Sequence, residues 1–141
     1  MTKIIAERYH DISCGHRVVG HEHKCKYLHG HNYRFTFTIE GEALDSLGRV
    51  IDFGVMKSTL CEWLENHYDH KFLMWADDPY LDTMMQLSEE SMVVVPFNPT
   101  AENIAKHFLE EVAPQLLEGT GARLIKCRVD ETRKCSATAM L

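Results

Sequence analysis

The stretch from Asn32 to Glu40 alternates without a break, with Tyr33, Phe35, Phe37 and Ile39 on one parity and Arg34, Thr36, Thr38 and Glu40 on the other. Successive side chains of a strand point to opposite faces, so this pattern predicts a strand buried on one face and wet on the other. The buried face demands a second layer to cover it, which already restricts the architecture. The same parity runs back through His31 and His29, separated only by Gly30. Two imidazoles therefore project on one side, at the rim where the apolar stripe begins, and both can reach one ion.

An earlier strand is expected from Ile4 to about Cys14, because Ile4, Ala6, Ile12 and Cys14 share a parity. His16 extends that parity, and antiparallel pairing of the two strands would bring it near His29 and His31. A helix is expected from Asp52, an acceptable N-cap, to about His67, with Phe53, Met56, Leu60, Trp63 and Leu64 as its stripe. A second opens at Thr100 after Asn98-Pro99. Its stripe is Ile104, Phe108, Leu109 and Val112, Glu102 suits the positive end of its dipole, and Pro114 should bend or end it. Strands follow at Arg123 to Glu131, with Ile125, Cys127, Val129 and Glu131 on one face, and at Cys135 to Leu141; Met92 to Phe97 could add another. The order predicts an α+β fold: a four-stranded antiparallel sheet with two helices between strands 2 and 3, on one side of the sheet. Its open edges suggest association through them.

With 141 residues and no linker, repeat or low-complexity tract, one domain spanning 1–141 is the simplest organisation. The net charge of −6 argues against nucleic acid or an anionic membrane as partner. No membrane span or signal-type segment is evident, so a cytoplasmic protein is expected. The five cysteines form no Cys-x-x-Cys pair and predict no disulfide framework.

Nine histidines are the compositional anomaly, and six of them fall between His10 and His31. A catalytic zinc site needs three protein ligands and an open position. His29, His31 and His16 fit that need, although His10, His21 and His23 compete for the third place. Cys14 or Cys25 could instead close a purely structural site.

The run Cys14-Gly15-His16-Arg17, then His23-Lys24-Cys25-Lys26-Tyr27-Leu28-His29-Gly30-His31-Asn32-Tyr33, resembles the 6-pyruvoyltetrahydropterin synthase family and its close relative, 6-carboxytetrahydropterin synthase. Matches continue in order at Val50-Ile51-Asp52-Phe53, Asp69-His70, Asn98-Pro99-Thr100-Ala101-Glu102-Asn103 and Asp130-Glu131-Thr132. The resemblance implies zinc on His16, His29 and His31, a catalytic Cys25, a catalytic Asp69–His70 pair, and a pterin-binding carboxylate at Glu131. It implies the tunnelling fold, whose sheets join into trimeric barrels that stack in pairs, giving a homohexamer. Three residues between Cys25 and His29 look like the carboxytetrahydropterin branch. Tyr68 departs from a usual leucine, and Cys14 from a position commonly small and apolar.

The reaction so implied converts 7,8-dihydroneopterin triphosphate into 6-carboxy-5,6,7,8-tetrahydropterin, releasing acetaldehyde and triphosphate, in a branch that supplies deazapurine (queuosine precursor) synthesis. Zinc, Lys24 and Lys26 would favour the Cys25 thiolate, and Asp69 would fix the His70 tautomer. Arg17, Lys24 and Lys26 are the nearest candidates for the triphosphate. The competing expectations are the pyruvoyl-forming synthase, a non-catalytic zinc- or pterin-binding assembly protein, and a generic zinc hydrolase.

Overall fold

The computed structural model describes residues 2–141. The long alternating run forms β2 (His29–Gly41), paired antiparallel along its length with β1 (Ile5–His16). Next come helix α1 (residues 53–67), β3 (Phe72–Trp75), α2 (Leu81–Ser88), β4 (Met92–Val95), helix α3 (residues 101–116), β5 (Ala122–Asp130) and β6 (Ser136–Met140). One six-stranded sheet results, in the order β4-β3-β1-β2-β5-β6.

The expected four-stranded antiparallel unit is present as β1, β2, β5 and β6. Two short strands extend it: β3, which was not expected, pairs parallel with β1, and β4, which lies within the expected Met92 to Phe97 segment, pairs parallel with β3. The sheet is therefore mixed, with four-residue extensions too short and too uniformly apolar to show a period. Helix α2 is also additional; it buries no residue and so carries no stripe to read.

Helices α1 and α3 cover the apolar face. Met56, Leu60, Leu64, Ile104, Phe108 and Val112 are buried with Tyr33, Phe35, Phe37 and Ile39 of β2 in one core cluster. Phe108 stacks on Phe37 at 5.0 Å between ring centroids and meets Phe35 at 5.9 Å and Trp63 at 5.6 Å. Burying each such side chain contributes roughly 1.5–3 kcal/mol. Phe53, by contrast, is exposed. The expected caps form: Asp52 accepts from the Gly54 N–H at 2.9 Å and Thr100 from the Asn103 N–H at 3.1 Å.

Two expectations are corrected. Pro114 does not end its helix. A widened π-type turn at Phe108–Val112 precedes it and shifts the hydrogen-bond pairing, and the chain stays helical to Leu116. On β5 the inward set is Leu124, Cys127 and Val129. A bulge leaves Ile125 unmatched, since Thr38 pairs with Lys126 but Ile39 pairs with Leu124. The extra residue moves Ile125 off the parity it shares in sequence with Cys127.

The other sheet face is helix-free and polar. There Arg34 grips Asp11 through two hydrogen bonds of 2.8 and 3.0 Å and stacks on Tyr9. No helix among the described residues is long and apolar enough to cross a membrane.

Candidate active site

The antiparallel register places His16 of β1 directly opposite His29 of β2, with His31 two residues further along the same face. The potential ligand atoms of the three imidazoles lie within 4.8 Å of one another. Competitors for the third position are elsewhere: His10 pairs with Glu65 at 2.7 Å, and His21 accepts the His23 N–H.

Main-chain carbonyls orient two of the rings. His16 Nδ1–H donates to Pro99 O at 2.6 Å, and His29 Nδ1–H donates to Tyr27 O at 2.7 Å. A carbonyl can only accept, so each Nδ1 holds the proton and each Nε2 presents a lone pair. The Asn98-Pro99-Thr100 landmark thus serves the site through a carbonyl, which a side-chain reading overlooks. Asn98 fixes that loop by exchanging hydrogen bonds with Val19, at 3.0 and 2.9 Å.

Glu131, in the turn after β5, puts Oε1 3.1 Å from His16 Nε2 and 3.4 Å from His31 Nε2. The neighbouring imidazoles, His16 first, hold its pKa below the usual carboxylate range, and burial works against this. Burial lowers the His31 pKa; Glu131 opposes this while His16 and His29 add to it, leaving a neutral ring. Buried His16 Nε2 and His31 Nε2 have no hydrogen-bond partner. Lone pairs and a carboxylate converging without protons between them call for a cation. A divalent ion with imidazole affinity fits this donor set.

Tyr33 adds a feature that sequence parity assigned simply to the core. Its ring stands edge-on to His16 and His31 at 5.7 and 5.4 Å, and its buried hydroxyl has no partner. Burial pushes its pKa far above the usual range, and Cys14, Glu131 and Cys25 act in the same direction.

Cys25 lies half-buried in a single turn, Lys24–Lys26, between β1 and β2. Tyr27, two residues on, supplies the carbonyl that holds His29, so the thiol is tethered closely to the cluster. Lys24 and Lys26 are exposed beside it. Arg17 is not free to bind an anion, because it is buried in an ion pair with Asp78.

Asp69 and His70 do form a pair, with Asp69 Oδ2 2.9 Å from His70 Nδ1. Main-chain atoms of Ser13 hold both: its N–H donates to Asp69 Oδ1 at 2.9 Å, and its carbonyl accepts the His70 N–H at 2.7 Å. His70 has φ of 61°, the one positive value among the described non-glycine residues, and strain of this kind collects at functional sites. Its side chain is 82% exposed. It lines the cleft on the helix-free face with Asp11, Ser13, Asn32 and Arg34. Within one chain, then, the structure unites His16, His29, His31, Glu131 and Cys25's turn, and leaves Asp69–His70 outside the three-histidine cluster, with His70 and His31 both lining one pocket.

A family model described as 6-pyruvoyl tetrahydropterin synthase matches residues 5–140. A curated relative from Rickettsia felis, named 6-carboxy-5,6,7,8-tetrahydropterin synthase, is 34% identical over 126 residues, covering 89% of this chain and 91% of its own. One of the same name from Haemophilus influenzae is 33% identical over 112 residues, covering 75% and 78%. Among solved structures, an uncharacterized protein from Wolinella succinogenes aligns with a TM-score of 0.87 at 23% identity, covering 99% of each chain. Caenorhabditis elegans 6-pyruvoyl tetrahydropterin synthase aligns with 0.68 at 22%, covering 100% of this chain and 99% of that one. At those identities the structural matches speak to the fold.

Proposed function

The chain belongs to the 6-pyruvoyl tetrahydropterin synthase family, and from that premise we propose that it is a zinc-dependent carbon–carbon lyase. The reaction proposed converts 7,8-dihydroneopterin triphosphate into 6-carboxy-5,6,7,8-tetrahydropterin, with release of acetaldehyde and triphosphate. The shared name of the curated relatives supports this branch, as does the three-residue gap between Cys25 and His29. The observation that carries the metal chemistry is the convergence of His16, His29 and His31, with unpartnered nitrogens facing one ionised carboxylate.

Zinc held by the three histidines would supply a Lewis acid that acidifies side-chain hydroxyls of the substrate. Cys25 takes a proton from that side chain. His70, its tautomer set by the Asp69 contact, returns or relays one. Glu131 offers an ionised acceptor beside the centre for a donor edge of the substrate. His70 is not part of the three-histidine cluster and its side chain is 82% exposed, so in this reading a complete site takes the Asp69–His70 pair from a neighbouring copy. That arrangement supports the stacked-trimer homohexamer.

The test is product analysis with 7,8-dihydroneopterin triphosphate. Acetaldehyde and the 6-carboxy product are expected; retention of all three side-chain carbons would assign the pyruvoyl-forming reaction instead. Binding without turnover, unchanged in Cys25→Ala, would mark a non-catalytic protein. Metal analysis checks the cofactor separately: about one zinc per chain is expected, lost on His29→Ala.

A further inference from the structure

The turn that carries Cys25 buries none of its own residues, so no core packing fixes where it sits. Two polar ties fix it, and both come from residues immediately after the ligand His16. The Val18 N–H donates to Cys25 O at 2.7 Å. Arg17 Nη1 donates to Lys26 O at 2.9 Å.

Arg17 is in turn immobilised. Its Nε and Nη2 donate to the two carboxylate oxygens of Asp78 at 2.7 and 2.8 Å, and its guanidinium lies 3.8 Å from the Tyr80 ring centroid. Asp78 is fixed on its own side, accepting the Tyr80 N–H at 2.8 Å and donating its N–H to Trp75 O at 3.0 Å. Arg17 and Asp78 are 7% and 5% exposed. A buried ion pair is poor value as a stabiliser, since apolar replacements of similar volume are often as stable or more so. What apolar residues cannot do is hold a carbonyl at a defined angle. The rigid guanidinium fork does so, and a lysine ammonium would not.

We propose that Arg17 and Asp78 are positioning residues: through Lys26 O they set the Cys25 thiol relative to the three-histidine centre. The inference rests on the acid/base role proposed for Cys25. Tyr80 is the third part of the device, fixing the plane of the fork.

The experiment uses Arg17→Lys on the full-length, metal-loaded protein, with two readouts: steady-state kinetics and the rate of Cys25 alkylation by iodoacetamide. Exposed Cys135 in the same molecule serves as internal control. A misplacement of about 1 Å costs on the order of 10²-fold, so kcat should fall by about that factor with KM little changed. Cys25 alkylation should change while Cys135 alkylation and zinc content do not. Unchanged kcat and Cys25 alkylation, with only a lower melting temperature, would overturn the inference. Should Arg17→Lys fail to fold, Tyr80→Leu keeps the ion pair and reads the same two rates. A smaller change in the same direction is then expected, and none would overturn it. Failure of the underlying reading looks different: Cys25→Ala would retain turnover, while the alkylation comparison still reports whether the clamp sets the thiol.

Discussion

Among single residues, the thiols separate most sharply. Burial pushes Cys14 up to about 12, with the Asp69 charge adding to it, and burial alone pushes Cys127 up to about 12. Cys61 is also raised by its burial. Of the five cysteines only Cys25 and Cys135 are not buried, so native protein at pH 8 should release about two equivalents with a thiol reagent, rising to all five on unfolding. A third fast-reacting thiol would contradict the core assignment. Carboxylates give an acid limb. Burial tends to raise Asp78, but hydrogen bonds from Arg17 and the Tyr80 N–H, with the Arg17 charge, hold it below the usual range. Asp69 follows the same balance, with the Ser13 N–H and His70 outweighing burial. Their folded pKa values lie below the unfolded value of about 3.9, so their stabilisation is complete above it and is lost as pH falls through the folded values. Urea midpoints should therefore drop between about pH 5 and 3, and less steeply in Asp78→Asn. Equal slopes would remove Asp78 from that account.

Among the elements, the junction of β1 and β3 is the tightest. A Cβ on Gly15 would run into the Phe72 ring and stand 3.3 Å from His29 O. Gly15→Ala should cost about 1–3 kcal/mol by overpacking, and because Gly15 precedes His16 it should weaken metal retention as well. Calorimetry with metal analysis measures both, and a neutral result would mean the ring yields freely. Much at this scale was legible beforehand. Long β2 declared itself through alternation, Asp52 and Thr100 through their capping chemistry, and His16, His29 and His31 through parity shared across paired strands. The remainder had no local signal. Four-residue β3 shows no period, whereas β4 was expected within Met92 to Phe97; α2 has no buried face, and the bulge at Ile125 is visible only against β2. The Arg17–Asp78 contact joins residues 61 apart in sequence, and the pull of Pro99 on His16 runs through a carbonyl that every residue possesses.

At the scale of the whole molecule, the sheet ends in β4 on one side and β6 on the other, each with a single partner. Open edges of this kind invite pairing with further copies. Light scattering should therefore report an assembly, with six copies expected. If neighbours lend one another the Asp69–His70 pair, co-expressing Cys25→Ala with His70→Ala should restore activity to roughly a quarter of the sites. No recovery would mean that each chain builds its site alone. Strand β1 then takes on a double duty. Its last residue is His16, proposed as a metal ligand, and three positions earlier Ser13 grips the Asp69–His70 dipeptide with its main chain. One strand would be wired to two reaction centres, its own and its neighbour's. Any displacement of β1 would move His16 and the Ser13 main chain together, tying the proposed metal centre to the Asp69–His70 pair.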